Sequence, residues 1–533
     1  MGYISMGAYS ATLRIPEFKG LMQYGDGMGQ DPRYALESVN AQTREGILRP
    51  MAGCELLKHP LPQPIETLAM LHRRWYTTDD ARDVLIAGCG GKLYWAPAGA
   101  GQPGDSGAQG GEGSAQSGAA PKYEGLAARA AEGGTCVSTE SWTEIGMPES
   151  VAGYQNNNWS WVTYEINPAG GESPVDVMLL SNAYDGMVCI RGDDMTASVV
   201  PTPKKFGVIA RYAERIWGGA IIDDPDMLVY SAPYDPFDWT QNDEIPEDGA
   251  GDVMQPSWDG DSFTTLTPFG SQLLAFKRTR VWRILGTNPG EYTFKEQYGG
   301  GASYAATVAT DGTRILMLSR EGLRQYDGES VAAYYQEYAE GVFRRMTRSA
   351  LDRAFAVMHN GTYYCALPLD GAASNNAVLI YNTREHTWLL REDVEVEAFL
   401  STEGALYFTS AATPGRLWRW HDDAWDEGAA QPMRWMSPWM DFGCKNVVKG
   451  SFTLYLTVEC RAAVTLRLSI QTEKKTKSKA VVFTPPQANQ NAKQRRISFG
   501  GNGRRYRLII ESTDETPWRM TGGVQMEIET DTD

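Results

Sequence analysis

The chain has 533 residues, of which 42% are hydrophobic and 22% charged, and its formal net charge at pH 7 is −17. This length exceeds a single core of ordinary size, so we expect one large domain with one or two smaller modules. The sequence has no run of 18 apolar residues and no basic-then-apolar leader after Met1. These features predict neither membrane insertion nor classical secretion and favour folding in the cytoplasm.

The charge is spread unevenly along the chain. Residues 431–533 hold 16 Lys and Arg against 10 Asp and Glu, whereas residues 1–430 hold 33 against 56. The C-terminal part is therefore mildly basic and the rest strongly acidic. An acidic body of this kind does not attract duplex DNA by releasing counterions, but it repels DNA that has to slide past it.

Residues 1–60 lack regular periodicity. They contain a glycine-rich turn at Gly25-Asp26-Gly27 and a short apolar run at Ile47-Leu48. We interpret the segment as an extended arm that ends by supplying the first strand of the next domain. A disordered terminus is the alternative.

Residues 61–430 repeat one short phrase about seven times, an alternating apolar and aromatic strand. One apolar residue of each phrase serves as an anchor, and successive anchors are 40, 53, 42, 56 and 38 residues apart, a spacing typical of propeller blades. These anchors are Val188, Leu228, Val281, Leu323, Leu379 and Leu417. The pattern predicts an all-β fold, an irregular β-propeller of about six to seven blades. The phrases begin at Leu93, Met187, Met227, Val281, Leu323, Val378 and Leu417.

Two further features accompany the repeated phrase, a set of turns and a long insertion. Turns at Gly90-Gly91 and Asp185-Gly186 predict hairpins within blades. Residues 98–135 interrupt the pattern with 11 Gly and 10 Ala in 38 positions, too little apolar surface to order the segment alone. We expect a long loop, either mobile or ordered against a neighbouring subunit.

Residues 431–533 change to period-two strands with polar residues at the intervening positions, as in Leu454-Leu456-Val458. This pattern predicts an antiparallel β-sandwich. One connection carries a lysine-rich run at residues 473–479. Such a run usually lies in a solvated loop, and the alternative is contact with an anionic partner or an acidic neighbouring subunit.

No residue is predicted to be catalytic, to bind a cofactor or to ligate a metal. A glycosidase would need two carboxylates converging on a pocket, but the acidic clusters at residues 223–226 and 243–248 lie in turn-like contexts. Asp259 and Asp261 lack the further ligands of a calcium loop. The tripeptide at residues 191–193 and the glycines at residues 299–301 are assigned no function.

The remaining reactive or bulky residues are expected to be structural. The seven cysteines occur singly and are interpreted as buried apolar side chains. The five histidines have no partner in sequence. The tryptophans of the blades are expected to fill the space between sheets. Those tryptophans are Trp95, Trp217, Trp282, Trp388, Trp418 and Trp420.

Two sets of short phrases are distinctive. The first is Arg215-Ile216-Trp217 followed by Leu228-Val229-Tyr230-Ser231 and Asp235-Pro236-Phe237-Asp238-Trp239, and the second is the opening Ile15-Pro16-Glu17-Phe18-Lys19-Gly20 followed by Gly46-Ile47-Leu48-Arg49-Pro50. These phrases resemble virion proteins of tailed bacteriophages. The layout of arm, irregular propeller and late sandwich is similar to that of the tail nozzle, tail hub or packaged-DNA stabilisation proteins of short-tailed phages.

The resemblance implies a non-enzymatic protein of the virion tail, folded in the host cytoplasm. Such a protein forms a homo-oligomeric ring, commonly sixfold, below the portal and adaptor. Its lumen retains or conducts duplex DNA without sequence-specific binding. Two alternatives remain open, a tail-tip or receptor-binding component with exposed aromatic patches on one propeller face, and a carbohydrate-active propeller with carboxylates in its central funnel.

Overall fold

The computed structural model shows an all-β chain in which seven four-stranded antiparallel units follow one another. The predicted β-propeller is therefore confirmed, and the described residues form seven blades. The structure describes residues 10–25, 27–57, 60–74, 83–98, 142–146, 148, 151–167, 173–255, 260–297, 300–334, 336–443, 447–486 and 491–529.

Each blade is an antiparallel meander whose first strand lies at the central channel. Blades are numbered here in chain order, from the first strand of each. Blade 1 contains Ile65–His72, Asp83–Cys89, Lys92–Pro97 and Thr143–Glu144, and blade 2 contains Ser160–Ile166, Val175–Asn182, Gly186–Arg191 and Ala197–Val200. Blade 3 contains Val208–Tyr212, Arg215–Gly219, Met227–Tyr230 and Gly251–Met254, and blade 4 contains Phe263–Phe269, Gln272–Lys277, Val281–Leu285 and Thr293–Gln297.

The later blades follow the same order. Blade 5 contains Ala309–Thr310, Ile315–Ser319, Gly322–Tyr326 and Val331–Ala333, and blade 6 contains Phe355–His359, Thr362–Leu367, Ala377–Asn382 and Thr387–Glu392. Blade 7 contains Ala398–Ser401, Leu406–Thr409 and Leu417–Arg419, and its fourth strand is Glu55–Leu56.

The recurring phrase of the sequence forms the third strand of every blade. Second strands such as Val175–Asn182 are buried along their whole length, because both faces of a blade pack against neighbouring blades. The Gly90-Gly91 turn has φ of 56° and 80°, the left-handed conformation that a tight hairpin requires. It joins the second and third strands of blade 1, as predicted.

The ring is closed by the N-terminal segment. Glu55 and Leu56 pair with Arg419 and Trp418 at the outer edge of blade 7, so the first and last parts of the propeller share one sheet. Leu400 of blade 7 packs in one apolar cluster with Leu68 and Leu85 of blade 1. The expected strand from the N-terminal segment is thus present, although it completes the last blade rather than the first.

The N-terminal segment has further partners that the sequence did not indicate. Ser10–Ile15 pairs with Trp518–Glu529 in the C-terminal sandwich. Glu37–Val39 is a bridging strand that pairs with Met433–Met436 of the sandwich on one side and, through Val39, with Leu390 of blade 6 on the other. Ala41–Gln42 forms a small hairpin with Arg49–Pro50. The segment is therefore built into both domains.

The C-terminal strands form the predicted antiparallel arrangement of two sheets around one core, which includes Trp435, Phe452 and Trp518. The bridging strand makes the second sheet continuous with blade 6. In spatial order, the first sheet is Ser10–Ile15, Trp518–Glu529, Phe452–Cys460 and Arg495–Phe499, and the second is Met433–Met436, Tyr506–Ser512, Val464–Thr472 and Thr476–Phe483.

The helices in the described residues are few and short. None in the described ranges is long and apolar enough to cross a membrane. The described helices are Arg44–Gly46, Pro289–Glu291, Ala305–Thr307, Gln336–Tyr338, Glu340–Arg345, Arg348–Arg353 and Ala424–Glu427.

Side-chain packing agrees with the structural interpretation of the aromatic and cysteine residues. Trp217, Trp388, Trp418 and Trp420 are buried, and Trp95 and Trp282 pack against the blade cores. The five described cysteines are buried and form no disulfide with one another, whereas Cys136 and Cys444 lie outside the described residues. Those five are Cys54, Cys89, Cys189, Cys365 and Cys460.

Candidate functional site

The connection between the third and fourth strands of blade 3, residues 231–250, is the best-defined candidate site. We call it the acidic loop. Its twenty residues contrast with the five that make the same connection in blade 2. The segment from Arg215 to Trp239 supplies the first nine residues of this loop and the strands beneath it.

A buried arginine closes the base of the acidic loop. Arg215 begins the second strand of blade 3 and is 1% exposed. Its guanidinium donates hydrogen bonds to the carbonyl oxygens of Ser231 at 2.7 Å and Gly249 at 2.6 Å, and to that of Glu247. Because these carbonyls belong to the two ends of the loop, one side chain holds both ends together.

The loop is also ordered by its own hydrogen bonds. The backbone N–H groups of Ala232 and Ala250 donate to the carbonyls of Asp238 and Thr240, each at 2.9 Å. The Asp238 carboxylate accepts from the Thr240 N–H at 2.9 Å, the local bond that favours turns at aspartate. The loop therefore has a defined shape and is a compact surface element.

The outer surface of the acidic loop is both apolar and acidic. Tyr234 is 76% exposed, Ile245 48% and Phe237 37%. The loop contains six acidic residues and no lysine or arginine. None of the six forms an ion pair within the part of the chain that the structure describes. The six are Asp235, Asp238, Asp243, Glu244, Glu247 and Asp248.

The acidic loop lies at one end of the propeller, which we call the upper end. Because every blade starts at the channel and runs outward as a meander, the first-to-second and third-to-fourth connections of all blades lie at this end. The Tyr234 N–H donates to the Glu214 carbonyl at 2.9 Å, which fixes the loop on its own blade. The Gly/Ala-rich insertion also leaves and re-enters blade 1 at the upper end, but nearly all of residues 98–135 lie outside the described residues.

A second charged surface lies on the sandwich. Residues 473–507 contain ten Lys and Arg and one acidic residue, Glu473. The exposed basic residues on one lateral side of the sandwich form what we call the basic edge. Within the described ranges none of them forms an ion pair with a carboxylate. The basic edge comprises Lys474, Lys475, Lys477, Lys479, Arg495 and Arg504.

The acidic clusters do not converge as a hydrolase would require. The cluster at residues 223–226 lies at the lower end of blade 3, where Asp224 pairs with Lys204 at 2.6 Å and Asp226 with Lys277 at 2.5 Å. The cluster at residues 243–248 lies at the upper end. Since the Lys277 side chain is fully buried, its pairing with Asp226 serves the interface between blades 3 and 4.

The other motifs have local structural roles. Asp261 accepts hydrogen bonds from the backbone N–H groups of Arg278 at 3.0 Å and Thr279 at 2.9 Å, and Asp259 lies outside the described residues. In the described ranges no three His, Cys, Asp or Glu side chains come together as metal ligands. Arg191 and Asp193 form an ion pair with each other at 2.6 Å.

One histidine does face a serine in space. His359 Nδ1 lies 2.9 Å from Ser401 Oγ, and His359 Nε2 lies 3.0 Å from Asn360 Nδ2. Burial lowers the pKa of His359. The pair is a hydrogen bond between blades 6 and 7.

Sequence reasoning missed a carboxyl group at the lower end of the channel. Glu397 precedes the first strand of blade 7 and is half-buried. Burial raises the pKa of Glu397, Arg353 lowers it, and the negative charges of Glu66 and Glu395 raise it further. The folded chain therefore holds this proton more tightly than the unfolded chain, and its stability falls as pH rises through the interval between the two pKa values.

Glu397→Gln is expected to raise the melting temperature at pH 7, because the amide carries no charge to desolvate. The gain should shrink as pH falls toward the ordinary glutamate pKa of about 4.3, where the native carboxyl is already protonated. Thermal melts between pH 4 and 8 measure it. Glu403→Gln, at an exposed position of the same blade, is the control for the loss of one negative charge. A pH-independent effect of Glu397→Gln would contradict the assignment.

Comparison with known proteins gives no family. No family model and no curated protein matches the sequence. Solved structures with similarity include the WD40 domain of Pan2 from Neurospora crassa, at 9% identity over 70% of this chain and 95% of that chain, with a TM-score of 0.36. BBS1N in complex with ARL6DN has 10% identity over 70% and 96% of the two chains and a TM-score of 0.35.

An exo-β-1,3-galactanase from Phanerochaete chrysosporium is also similar, at 9% identity over 72% of this chain and 98% of that chain, with a TM-score of 0.24. Identities of this size concern the fold and say nothing about ligands or activity. The propeller assignment rests on the sheet topology. The chain is therefore a seven-bladed β-propeller with a β-sandwich joined to its sixth blade.

Proposed function

We propose that this chain is a structural protein of a tailed-bacteriophage virion. Its copies form a ring, the nozzle or hub of the tail, which stacks under the portal and adaptor and retains or conducts the genomic DNA. In this role the chain has no enzymatic activity. Its place is the tail of the assembled particle, after folding in the host cytoplasm.

The acidic loop is the observation that supports this proposal most directly. The phrase that resembles phage virion proteins builds a rigid surface held by Arg215, and that surface exposes Tyr234, Phe237 and Ile245. Rigid aromatic side chains beside unpaired charges are typical of contacts between proteins. Such a surface favours assembly with another subunit, and the strongly acidic propeller suits a ring through which DNA moves without adhering.

The location of the protein in phage particles tests this function. Averaged electron micrographs of particles carrying a tag on this chain should show the tag in a ring on the tail axis below the portal. Purified protein should not bind a 30-base-pair duplex at about 150 mM salt. Density away from the tail axis, or tight duplex binding at that salt, would contradict the proposal.

The exposed aromatic side chains also favour a second candidate, a tail-tip or receptor-binding component. Tyr234 and Phe237 project from one end of the propeller, where a receptor would bind. Antibody fragments against residues 231–250 distinguish the two roles. They should bind finished particles and block adsorption if the loop contacts a receptor, whereas the loop should be inaccessible in finished particles if it lies between subunits.

A further inference from the structure

We propose that neighbouring copies of this chain contact each other head to tail, with the basic edge of one sandwich docked on the acidic loop of the next propeller. This inference rests on the proposed ring and names the contact that builds it. The charges of the two surfaces are complementary. The acidic loop has six carboxylates and no basic residue, whereas residues 473–507 have ten basic residues and one acidic residue.

The two surfaces cannot meet within one chain. The bridging strand Glu37–Val39 attaches the sandwich to blade 6, whereas the acidic loop belongs to blade 3. Blades 3 and 6 are three positions apart, the largest separation possible in a ring of seven. The acidic loop therefore lies far from its own sandwich, and the basic edge of a second copy is a surface of opposite charge that can reach it.

Among the strands that the structure describes, only one pairs with the strand at the basic edge. Thr476–Phe483 pairs with Val464–Thr472 on one side and lies at the end of its sheet. Lysines on an exposed edge strand also discourage unwanted strand pairing. That role accounts for Lys477 and Lys479, but Lys474, Arg495 and Arg504 lie on other elements.

The apolar groups are complementary as well. Val482, on the edge strand, is 52% exposed, and the acidic loop offers Phe237 and Ile245. An apolar centre surrounded by opposite charges is the usual composition of a specific interface. Because the Arg215 hydrogen bonds already fix the shape of the loop, docking costs little conformational entropy.

The geometry of such a contact leads to a repeating assembly. The acidic loop and the basic edge are different surfaces on opposite sides of the same chain. A copy that has docked through one of them can therefore still dock through the other. Repetition of a contact of this kind gives a ring when the rotation closes and a filament when it does not. The contact therefore supplies what a tail ring requires.

Charge reversal in the full chain tests the contact. The first variant is Glu244→Lys with Glu247→Lys, and the second is Lys475→Glu with Lys477→Glu. Association is measured by sedimentation at about 50 mM and about 300 mM salt. Wild type should associate at the lower salt, and each variant alone should associate at least about tenfold more weakly. An equal mixture of the two variants should regain association, because each restores the opposite charge to the other.

The controls separate the contact from general charge effects and from folding. Glu329→Lys with Glu403→Lys makes the same charge change on exposed residues of blades 5 and 7 and should leave association within about twofold of wild type. All variants should retain the wild-type circular dichroism spectrum. A wild-type chain that stays monomeric, or a mixture that does not regain association, would overturn the contact.

A nucleic acid partner for the basic edge is a separate outcome. If Lys475→Glu with Lys477→Glu abolishes binding of a 30-base-pair duplex at about 50 mM salt and leaves association unchanged, the contact is overturned in favour of DNA. Failure of the contact leaves the tail location to be decided by particle images. Conversely, a confirmed contact in a protein absent from the tail axis would overturn the proposed function alone.

Discussion

Arg215→Ala is expected to be among the most destabilising substitutions in this chain. It removes the side-chain donor from three backbone carbonyls, of which those of Ser231 and Gly249 belong to buried residues, and opens a cavity at the base of the acidic loop. Each such loss costs about 1–3 kcal/mol, so we expect the free energy of unfolding to fall by about 3–5 kcal/mol. Urea unfolding followed by tryptophan fluorescence measures the change.

Hydrogen exchange identifies the region of the chain that Arg215→Ala destabilises. The N–H groups of Ala232 and Ala250, which close the loop, should exchange much faster in the variant, whereas those of blade 6 should change little at low denaturant. Arg211→Ala is the matched control on the neighbouring strand. Arg211 is exposed and pairs with Glu214 at 2.6 Å, and its loss should cost less than about 1 kcal/mol. Equal effects of the two substitutions would refute the stated role of Arg215.

Gly415→Ala is expected to weaken the closure of the ring. Gly415 lies between the second and third strands of blade 7 and has φ of 74°, and a Cβ there would lie 2.0 Å from the Leu61 carbonyl oxygen. Leu61 precedes blade 1 and donates its N–H to the Gly415 carbonyl at 2.8 Å. The substitution therefore combines left-handed strain with a backbone clash, and we expect a loss of about 3 kcal/mol or more.

Gly371→Ala is the control for the strain alone. Gly371 occupies the equivalent connection of blade 6 and has φ of 84°, but no atom lies within 4 Å of its added Cβ. It should cost about 1 kcal/mol. Comparison of the two urea midpoints isolates the clash at the seam between blades 7 and 1. Similar midpoints would show that Leu61 and Gly415 can separate without loss of the fold.

The propeller was predictable because its signal is repeated. The third strand of each blade packs in the same environment, so the same alternation of apolar and aromatic residues recurs at Leu93, Val281 and Leu417. The period-two pattern of the sandwich was equally clear, since one face of each strand lies in the core. In both domains the pattern recurs because equivalent residues of successive strands are buried in the same way.

The partners of the N-terminal segment were not predictable from the sequence. Glu37–Val39 has only three residues. It is a strand because its backbone pairs with the strands that contain Leu390 and Trp435, which lie hundreds of residues away in the sequence. The role of Arg215 was also hidden. An arginine at the start of an apolar strand gives no signal until the carbonyls of a distant loop are seen around it. The pairing of distant strands and the hydrogen bonds of buried polar groups are properties of the folded chain.

The pairing of Ser10–Ile15 with the last strand has a consequence for biosynthesis. Ser10 lies opposite Glu529, so a strand made early pairs with one made about 500 residues later. At translation rates of about 5–20 residues per second it waits roughly half a minute to two minutes for its partner. Blade 7 can be completed only after Arg419 has emerged, although its fourth strand was made early. The nascent chain therefore carries unpaired strand edges for most of its synthesis, and we expect it to depend on chaperones until release.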